Sequence, residues 1–506
     1  MQRIAIIDIG SNSARLVITQ MYKSGAYNMV YNQKETLRLS QKLDKSGKLT
    51  ALAFTETIEC MQSFASMCTL FHTDKIIAVA TAAIRNAPNG EKLVSDVKLA
   101  TGIDLEIISG ETEAYMSYLG TINTLNINNA IIFDLGGGST ELILVQNRKM
   151  VDSISLPIGC VNLTSTFKTK NKITPAVYAQ MRKVIAVQLN KAPWIKASGL
   201  QLIGVGGTAR AIGKMEQKRV KYFTSKIHNY QFAIQNFKNT FKQLLTTSFA
   251  ERKQIPGLSS ERADIILAGA SIVKGLADRS KTKKMIISGC GLREGLFLAH
   301  YTAANNTPLI PENILTDSCE NALKMYTPDS EHSRHVTSLA LTMYDSWKPL
   351  HKLDDTWRHL LETASLLHDI GITINYYSHA RHSGYMIENA KLFGLTHKEQ
   401  VLTSLIAAWH NGISRSYLRN KQYKGSLTAL DLKKAGMAAL LLALAESLDY
   451  SQTNQISKIN PEISKKAAIL NLVAENLPTI ELHQVKQQLI WFEKSFGVPL
   501  VVKTSK

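Results

Sequence analysis

Two stretches of the chain repeat each other. Ile4–Ile18 (IAIIDIGSNSARLVI) and Ala130–Leu144 (AIIFDLGGGSTELIL) superimpose at a constant offset, which sets Asp8 on Asp134, Gly10 on Gly136, Ser13 on Ser139 and Leu16 on Leu142. Each copy reads as an apolar strand, an Asp-x-Gly turn and a second strand. A hairpin present twice restricts the fold to two similar α/β halves with a cleft between them. The turns also say what the cleft suits. Glycine lets backbone N–H groups approach a ligand with no Cβ in the way, and Ser and Asn side chains add donors, as a phosphoryl group requires. The first turn carries Ser11, Asn12 and Ser13, and the second carries Gly136, Gly137, Gly138 and Ser139. Asp8 and Asp134, at strand ends just before the turns, are expected to face the same cleft and to hold Mg²⁺ directly or through water.

The alternation of strand-like and helical runs continues to about residue 300. Strands are expected at Ile4–Ile9, Leu16–Thr19, Lys75–Ala80, Leu105–Ile108, Ala130–Asp134, Leu142–Val145, Leu202–Val205 and Met285–Ile287, with helices near 51–70, 111–120, 174–190, 231–248 and 261–279. LIGVGGTARAI (Leu202–Ile212) and MIISGCGLREGL (Met285–Leu296) are two more junctions of strand, glycine pair and helix start. Gly206, Gly207 and Thr208 of the first junction join the expected phosphate-binding set. After Leu309-Ile310-Pro311 the pattern turns almost wholly helical, with histidines at many turns, and Ala467–Phe492 then alternates like a few strands. The expected organisation is two α/β domains (1–125 and 126–305), an all-α domain (306–455) and a small α+β segment (456–506).

Charge narrows the partners. The chain of 506 residues carries 59 Lys and Arg against 40 Asp and Glu, a balance of +19, and residues 151–250 alone hold 15 basic and 2 acidic side chains. Such an excess draws in polyanions. No aromatic interleaving or nucleic-acid motif accompanies it, so sequence-specific nucleic-acid recognition is not expected. SRSYLRNKQYKGS (Ser414–Ser426) adds a basic loop with Arg415, Arg419, Lys421 and Lys424. Cys60, Cys68, Cys160, Cys290 and Cys319 are scattered with no C-x-x-C pair, which excludes a zinc ribbon and suits a reducing compartment. The amino terminus enters a strand without a signal-peptide cleavage site, and the longest apolar run, Ala435–Ala445, is too short to span a bilayer. The expectation is a cytoplasmic protein, at most peripheral at the inner membrane.

Two further segments carry chemistry. In ISGETEAYMSYLG (Ile108–Gly120) a helix opens with Glu111 and Glu113. Acids favour helix amino termini for electrostatic reasons alone, but hydrolysis at a phosphate cleft needs a carboxylate to orient and deprotonate water. TAAIRNAPNG (Thr81–Gly90) follows a strand and offers Arg85, whose guanidinium suits forked phosphate contacts.

DIGSNS (Asp8–Ser13), ATAAIRNAPN (Ala80–Asn89), ISGETEA (Ile108–Ala114), FDLGGGSTEL (Phe133–Leu142), GVGGTARA (Gly204–Ala211) and GLREGL (Gly291–Leu296) together resemble the exopolyphosphatase / guanosine pentaphosphate phosphohydrolase family, in order and spacing, over residues 1–300. The resemblance implies duplicated actin-like (ribonuclease H-like) domains of the ATPase superfamily. It implies Glu113 as the catalytic carboxylate, although the family's E-E-A pattern here reads Glu111-Thr112-Glu113, which leaves Glu111 as the competing acid. It further implies Asp134 as a magnesium ligand, Glu141 as an aid in placing the metal or the attacking water, Ser11, Asn12, Ser13, Gly136, Gly137, Gly138 and Ser139 as the cradle of the terminal phosphates, potassium as an activator, and a homodimer.

HSRHV (His332–Val336), SLLHDIG (Ser365–Gly371) and LALAESLDYS (Leu442–Ser451) resemble the H…HD…D pattern of the HD phosphohydrolase domain, which follows the catalytic pair in the longer exopolyphosphatases. By that resemblance His332, His368, Asp369 and Glu446 are candidate metal ligands, with Asp449 one turn after Glu446 and His379, His382 and His410 lying between. A structural role or weak metal binding is the expectation there, rather than a second hydrolase.

The whole implies an exopolyphosphatase that removes the terminal phosphate of inorganic polyphosphate by Mg²⁺-assisted in-line attack of water. The alternative within the family is hydrolysis of pppGpp to ppGpp. A kinase of the same superfamily would need a general-base Asp facing an acceptor hydroxyl, and no additional acid hairpin supplies one. A non-catalytic sensor would have no use for so complete a set of site residues.

Overall fold

The computed structural model describes residues 1–327, 330–414, 423 and 425–505. Arg415, Arg419, Lys421 and Lys424 of the basic loop lie outside the described residues. The chain forms two compact units, one of residues 1–23 and 27–312, the other of 24–26 with 313 onward.

The first unit contains two sheets of like design. In the first, β1 (Gln2–Ile9), β2 (Ala14–Met21), β3 (Tyr27–Glu35), β4 (Lys75–Ala80) and β5 (Leu105–Ile107) run in the order β3-β2-β1-β4-β5. The β1–β2–β3 meander is antiparallel, and β4 and β5 add in parallel. In the second, β6 (Ala130–Leu135), β7 (Thr140–Gln146), β8 (Lys149–Leu156), β9 (Gln201–Val205), β10 (Tyr230–Ala233) and β11 (Lys284–Ile287) run β10-β11-β9-β6-β7-β8. The meander β6–β7–β8 and the parallel pair β9 and β11 repeat the first sheet strand for strand. Only β10, antiparallel at the edge, is additional. The duplication read from one hairpin therefore extends to five strands.

The central strands are apolar on both faces because both faces are covered. On β1, Ala5, Ile7 and Ile9 enter one core and Ile4 and Ile6 another. On β6, Ile131, Phe133 and Leu135 alternate in the same way with Ala130 and Ile132. Two of the covering helices change lobes. The helix Gly110–Ile122, which follows β5, packs Ala114, Tyr118, Leu119 and Ile122 on the second sheet. The helix Leu292–Asn305, which follows β11, packs Leu292, Leu296 and Phe297 on the first. They cross at glycines: a Cβ on Gly120 would lie 2.1 Å from the Gly291 carbonyl oxygen, and one on Gly295 would lie 1.9 Å from that of Met116. Side chains at these points would force the helices apart.

The second unit is mainly helical, with helices at Ile314–Tyr326, Glu331–Ser346, Asp355–Leu366, His379–Asn389, His397–Trp409 and Ala429–Ser447. The apolar run Ala435–Ala445 is the buried heart of the last of these. No helix among the described residues is long and apolar enough to cross a membrane. The unit ends in a sheet of β12 (Ile456–Ile463), β13 (Ala468–Ala474) and β14 (Leu500–Ser505), ordered β12-β13-β14. Here one expectation fails. Within Ala467–Phe492 only Ala468–Ala474 is a strand, and Thr479–Phe496 is a single helix, because its buried Glu481, Val485 and Phe492 recur at helical spacing. The segment is packed into the same unit through an edge-on ring contact of Trp347 with Phe492.

Candidate active site

The two hairpins match in structure as in sequence. The Gly10 amide donates to the Ser13 carbonyl at 3.1 Å, and the Gly136 amide to the Ser139 carbonyl at 3.0 Å. Asp8 and Asp134 occupy the same place in β1 and β6, each beside a valine of its parallel neighbour (Val79, Val205). The equivalence breaks across the hairpin, where Asp8 faces Arg15 and Asp134 faces Glu141. The turns abut: a Cβ on Gly137 would stand 2.9 Å from the Ser11 Cβ, and one on Gly138 would stand 2.8 Å from the Ser11 Oγ. Asp8 and Asp134 therefore open into one cavity, together with Ser11, Asn12, Ser13, Gly136, Gly137, Ser139, Gly206, Gly207 and Glu113.

Helix phase separates the two candidate glutamates. Ser109 caps the helix Gly110–Ile122, its Oγ accepting from the Thr112 amide at 3.0 Å. From that start Glu113 turns inward and is buried, whereas Glu111 is exposed. Arg85 Nη1 donates to Glu113 Oε2 at 2.9 Å and to the Ile108 carbonyl at 2.9 Å. One helical turn beyond Glu113, Ser117 Oγ donates to Asp134 Oδ2 at 2.5 Å. Glu141 lies behind this layer, fully buried, accepting from Ser155 Oγ at 2.9 Å.

Burial dominates the electrostatics. It lifts Asp8 to about 6, against the pull of Arg293 and Arg15, and lifts Glu141 to about 7 with the help of Asp134. Asp134 is raised by burial despite the Ser117 hydrogen bond. Glu113 is raised by burial and then by Glu141, against Arg85. Buried carboxylates gathered this closely are the donor set a hard divalent cation stabilises, so these residues fit Mg²⁺.

Opposite the acids stand Arg15, Arg210, Arg262 and Arg293, which line the same cavity and which sequence reading missed as site residues. Arg15, Arg210 and Arg293 sit inside quoted motifs, but a single arginine has no spacing to betray it. Arg262 has an indirect signal in the glycine pair: a Cβ on Gly207 would fall 1.8 Å from its Nη2, so the guanidinium lies directly over that backbone. Burial lowers Arg15 to about 10, which leaves it charged near neutrality. Glu294 also lines the cavity and accepts from the Gly291 amide at 2.8 Å.

Four expected site residues do not line it. Arg85 donates through Nη1 to Glu113 and to the Ile108 carbonyl instead of lining the cavity. Glu141 is one layer back, and Gly138 is turned to Ser11. Thr208 is packed against Gly269, whose Cβ would meet its Cγ2 at 2.6 Å.

In the second unit His332, His368, Asp369 and Glu446 do come together. His332 Nε2 lies 3.7 Å from Asp369 Oδ2, and His368 Nε2 lies 3.6 Å from Asp369 Oδ1. Two further histidines join them, His379 at 3.3 Å from Asp369 Oδ1 and His410 at 3.2 Å from Glu446 Oε2. Asp449 stands outside, accepting from His332 Nδ1 at 2.8 Å.

Comparison with known proteins agrees with this geometry. Residues 17–303 match the Ppx/GppA phosphatase family, and residues 314–486 match the Ppx/GppA phosphatase domain III. A guanosine-5'-triphosphate,3'-diphosphate pyrophosphatase of Aeromonas salmonicida is 27% identical over 406 residues, 79% of each chain. Its namesake in Aeromonas hydrophila is 27% identical over 447 residues, 87% of each. Among solved structures, a Ppx-GppA enzyme of Aquifex aeolicus superimposes with a TM-score of 0.51 at 31% identity, covering 59% of this chain and 99% of that one. An exopolyphosphatase of Cytophaga hutchinsonii shares the fold with a TM-score of 0.56 at 24% identity, over 61% of this chain and all of its own. With its duplicated hairpins, the cleft they share and these matches, the chain belongs to the Ppx/GppA phosphatase family, hydrolases of phosphoanhydride bonds.

Proposed function

We propose that the chain is an exopolyphosphatase, releasing orthophosphate from the end of inorganic polyphosphate. The observation that carries this reading is the cavity itself, which sets four arginines and two glycine turns against a group of buried carboxylates. Arginines and turn amides suit a terminal phosphate, and the acids suit the cation and the attacking water. The exposed basic residues of 151–250 would hold the incoming polymer through its charge alone.

Asp8 and Asp134 would hold Mg²⁺, with Glu141 behind them. When bound, the ion neutralises the negative charge of the terminal phosphates. Glu113 takes the proton of the attacking water. Burial, the largest cause, raises its pKa above the usual carboxylate range, which makes it a stronger base than a solvated glutamate. Arg85 is a positioning residue that fixes the Glu113 carboxylate. Arg15, Arg210, Arg262, Arg293 and the turn amides meet the charge on the phosphoryl oxygens as it redistributes in the transition state.

The names of the curated relatives favour a second reading, the 5'-phosphate of pppGpp as substrate. Both substrates offer a terminal phosphoanhydride to the same groups. Phosphate release from long polyphosphate and from pppGpp, measured side by side with and without Mg²⁺ and K⁺, separates them. A higher kcat/KM on polyphosphate supports the proposal, and a preference of about tenfold or more for pppGpp, worth roughly 1.4 kcal/mol, overturns it.

A further inference from the structure

Between β3 and the helix Ala51–Leu70 a short segment is anchored in one lobe and reaches the other. Leu37 and Leu39 are buried in the core of the first sheet, which fixes the segment there. The amides between and after them hold the first phosphate turn. Arg38 N–H donates to the Asn12 carbonyl at 3.0 Å, and Ser40 N–H to the Ser11 carbonyl at 3.1 Å. A trans peptide points its carbonyl and the following N–H in opposite directions. The amides of Asn12 and Ser13, two residues that line the cavity, therefore point away from this segment. Arg38 holds the left-handed conformation, with φ 53°, which a non-glycine residue keeps only where its surroundings require it.

The Arg38 side chain crosses to the second lobe. Its Nη1 donates to Asp264 Oδ2 at 2.8 Å and its Nη2 to the Glu261 carbonyl at 3.2 Å. Lys34, on β3, pairs with the Glu261 carboxylate beside it. Glu261 and Asp264 flank Arg262, whose guanidinium lies over Gly207 in the cavity wall. Asp264 is buried, and its Oδ1 has no hydrogen-bond partner among the described residues, so its charge depends on the pair with Arg38. Neither Arg38 nor Asp264 lines the cavity itself. We infer that Arg38 and Asp264 are positioning residues for the hydrolysis, because their pair ties the first phosphate turn to Arg262 and sets both halves of the phosphate site in place before substrate arrives. The inference rests on the reading of this cleft as the site of hydrolysis and holds for either substrate. Without the pair the site is assembled only part of the time, and the substrate assembles it at the cost of affinity. The loss therefore falls on KM.

Steady-state kinetics of Arg38→Gln, Asp264→Ala and the double variant test it in the full chain, on long polyphosphate or pppGpp, whichever the parent hydrolyses faster. Each is expected to raise KM by roughly tenfold and to leave kcat within about twofold, with Arg38→Lys in between. The double variant should be no worse than the worse single one, because the pair is already broken. Asp264→Ala separates positioning from simple charge, since removing an acid near the cleft would by its field alone lower KM for an anion. Assays run well below the melting temperature of each variant, where a merely structural pair leaves KM unchanged. Should Arg38→Gln, which strands a buried carboxylate, fail to fold by far-UV circular dichroism, the double variant decides, since it strands none. Parental KM in the folded variants overturns the inference, as does a KM that falls in Asp264→Ala. A parent active on neither substrate, or full release by Glu113→Gln, overturns the reading of the cleft and the inference with it. Release lost in Glu113→Gln, with parental KM in the other variants, overturns the inference alone.

Discussion

A two-residue difference in position gives Glu111 and Glu113 opposite environments. The helix begun at Ser109 turns the first to solvent and the second toward Arg85. Glu111→Gln is therefore expected to leave kcat and KM within about twofold of the parent, read by phosphate release. Arg85→Ala is expected to lower kcat by roughly 10- to 100-fold with little change in KM, because a base that is no longer held in place loses part of its contribution of about 10²–10⁴. Gly207 tests the arginine wall. An added Cβ there meets the movable end of Arg262 rather than backbone. Gly207→Ala is thus expected to fold normally and to raise KM, and in the double variant with Arg262→Ala the two effects should not add. Legibility at this scale followed pattern. Asp8, Asp134 and the turn residues recur in register, so the repeat exposed them. Glu113 needed helix phase to be told from Glu111, and Arg15, Arg210, Arg262 and Arg293 become a group only through folding, since they come from separate elements.

The same contrast between recurrence and context appears among the elements. Strands buried on both faces, such as Lys75–Ala80, stand out as apolar runs. The meander edges β3 and β8 do not, because YNMVYNQKE and KMVDSISL are about half polar and hold a single buried residue between them, Leu156. Nor does the exchange of helices between lobes have any sequence signature other than glycines at odd places in a helix. Gly295 is the sharpest of these, with the Met116 carbonyl where its Cβ would be. Backbone cannot swing aside as a side-chain end can, so Gly295→Ala is expected to cost about 1–3 kcal/mol, as overpacking does, and to lower Tm by several degrees in a thermal melt. Gly102, whose Cβ would meet nothing, is the comparison. Its φ of 72° still makes Gly102→Ala a test of strain alone, at about 1 kcal/mol.

For the whole molecule, one feature of the charge balance has a measurable consequence. Residues 151–250 carry thirteen more positive than negative side chains (15 basic against 2 acidic), and the ligand proposed for the cleft is a polyanion. If the exposed basic surface holds the polymer, log KM for long polyphosphate should climb steeply with log salt, while that for a short oligophosphate should change much less. The duplicated architecture and the helical character of the second unit were both visible in the chain, the first as a repeat and the second as a change of period near residue 310. The join between sheet and helices at the carboxyl end was not, since a helix with buried Glu481, Val485 and Phe492 looks much like alternating strands over a short window. The central claim is that one cleft binds the phosphate end with its arginines and turns and hydrolyses it with Glu113. Glu113→Gln tests this most directly, by measuring polyphosphate binding and phosphate release on the same preparation. Binding within a few-fold of the parent is expected, with release reduced by at least about 10². Undiminished release from a protein that still binds would contradict it and move the base elsewhere in the cleft.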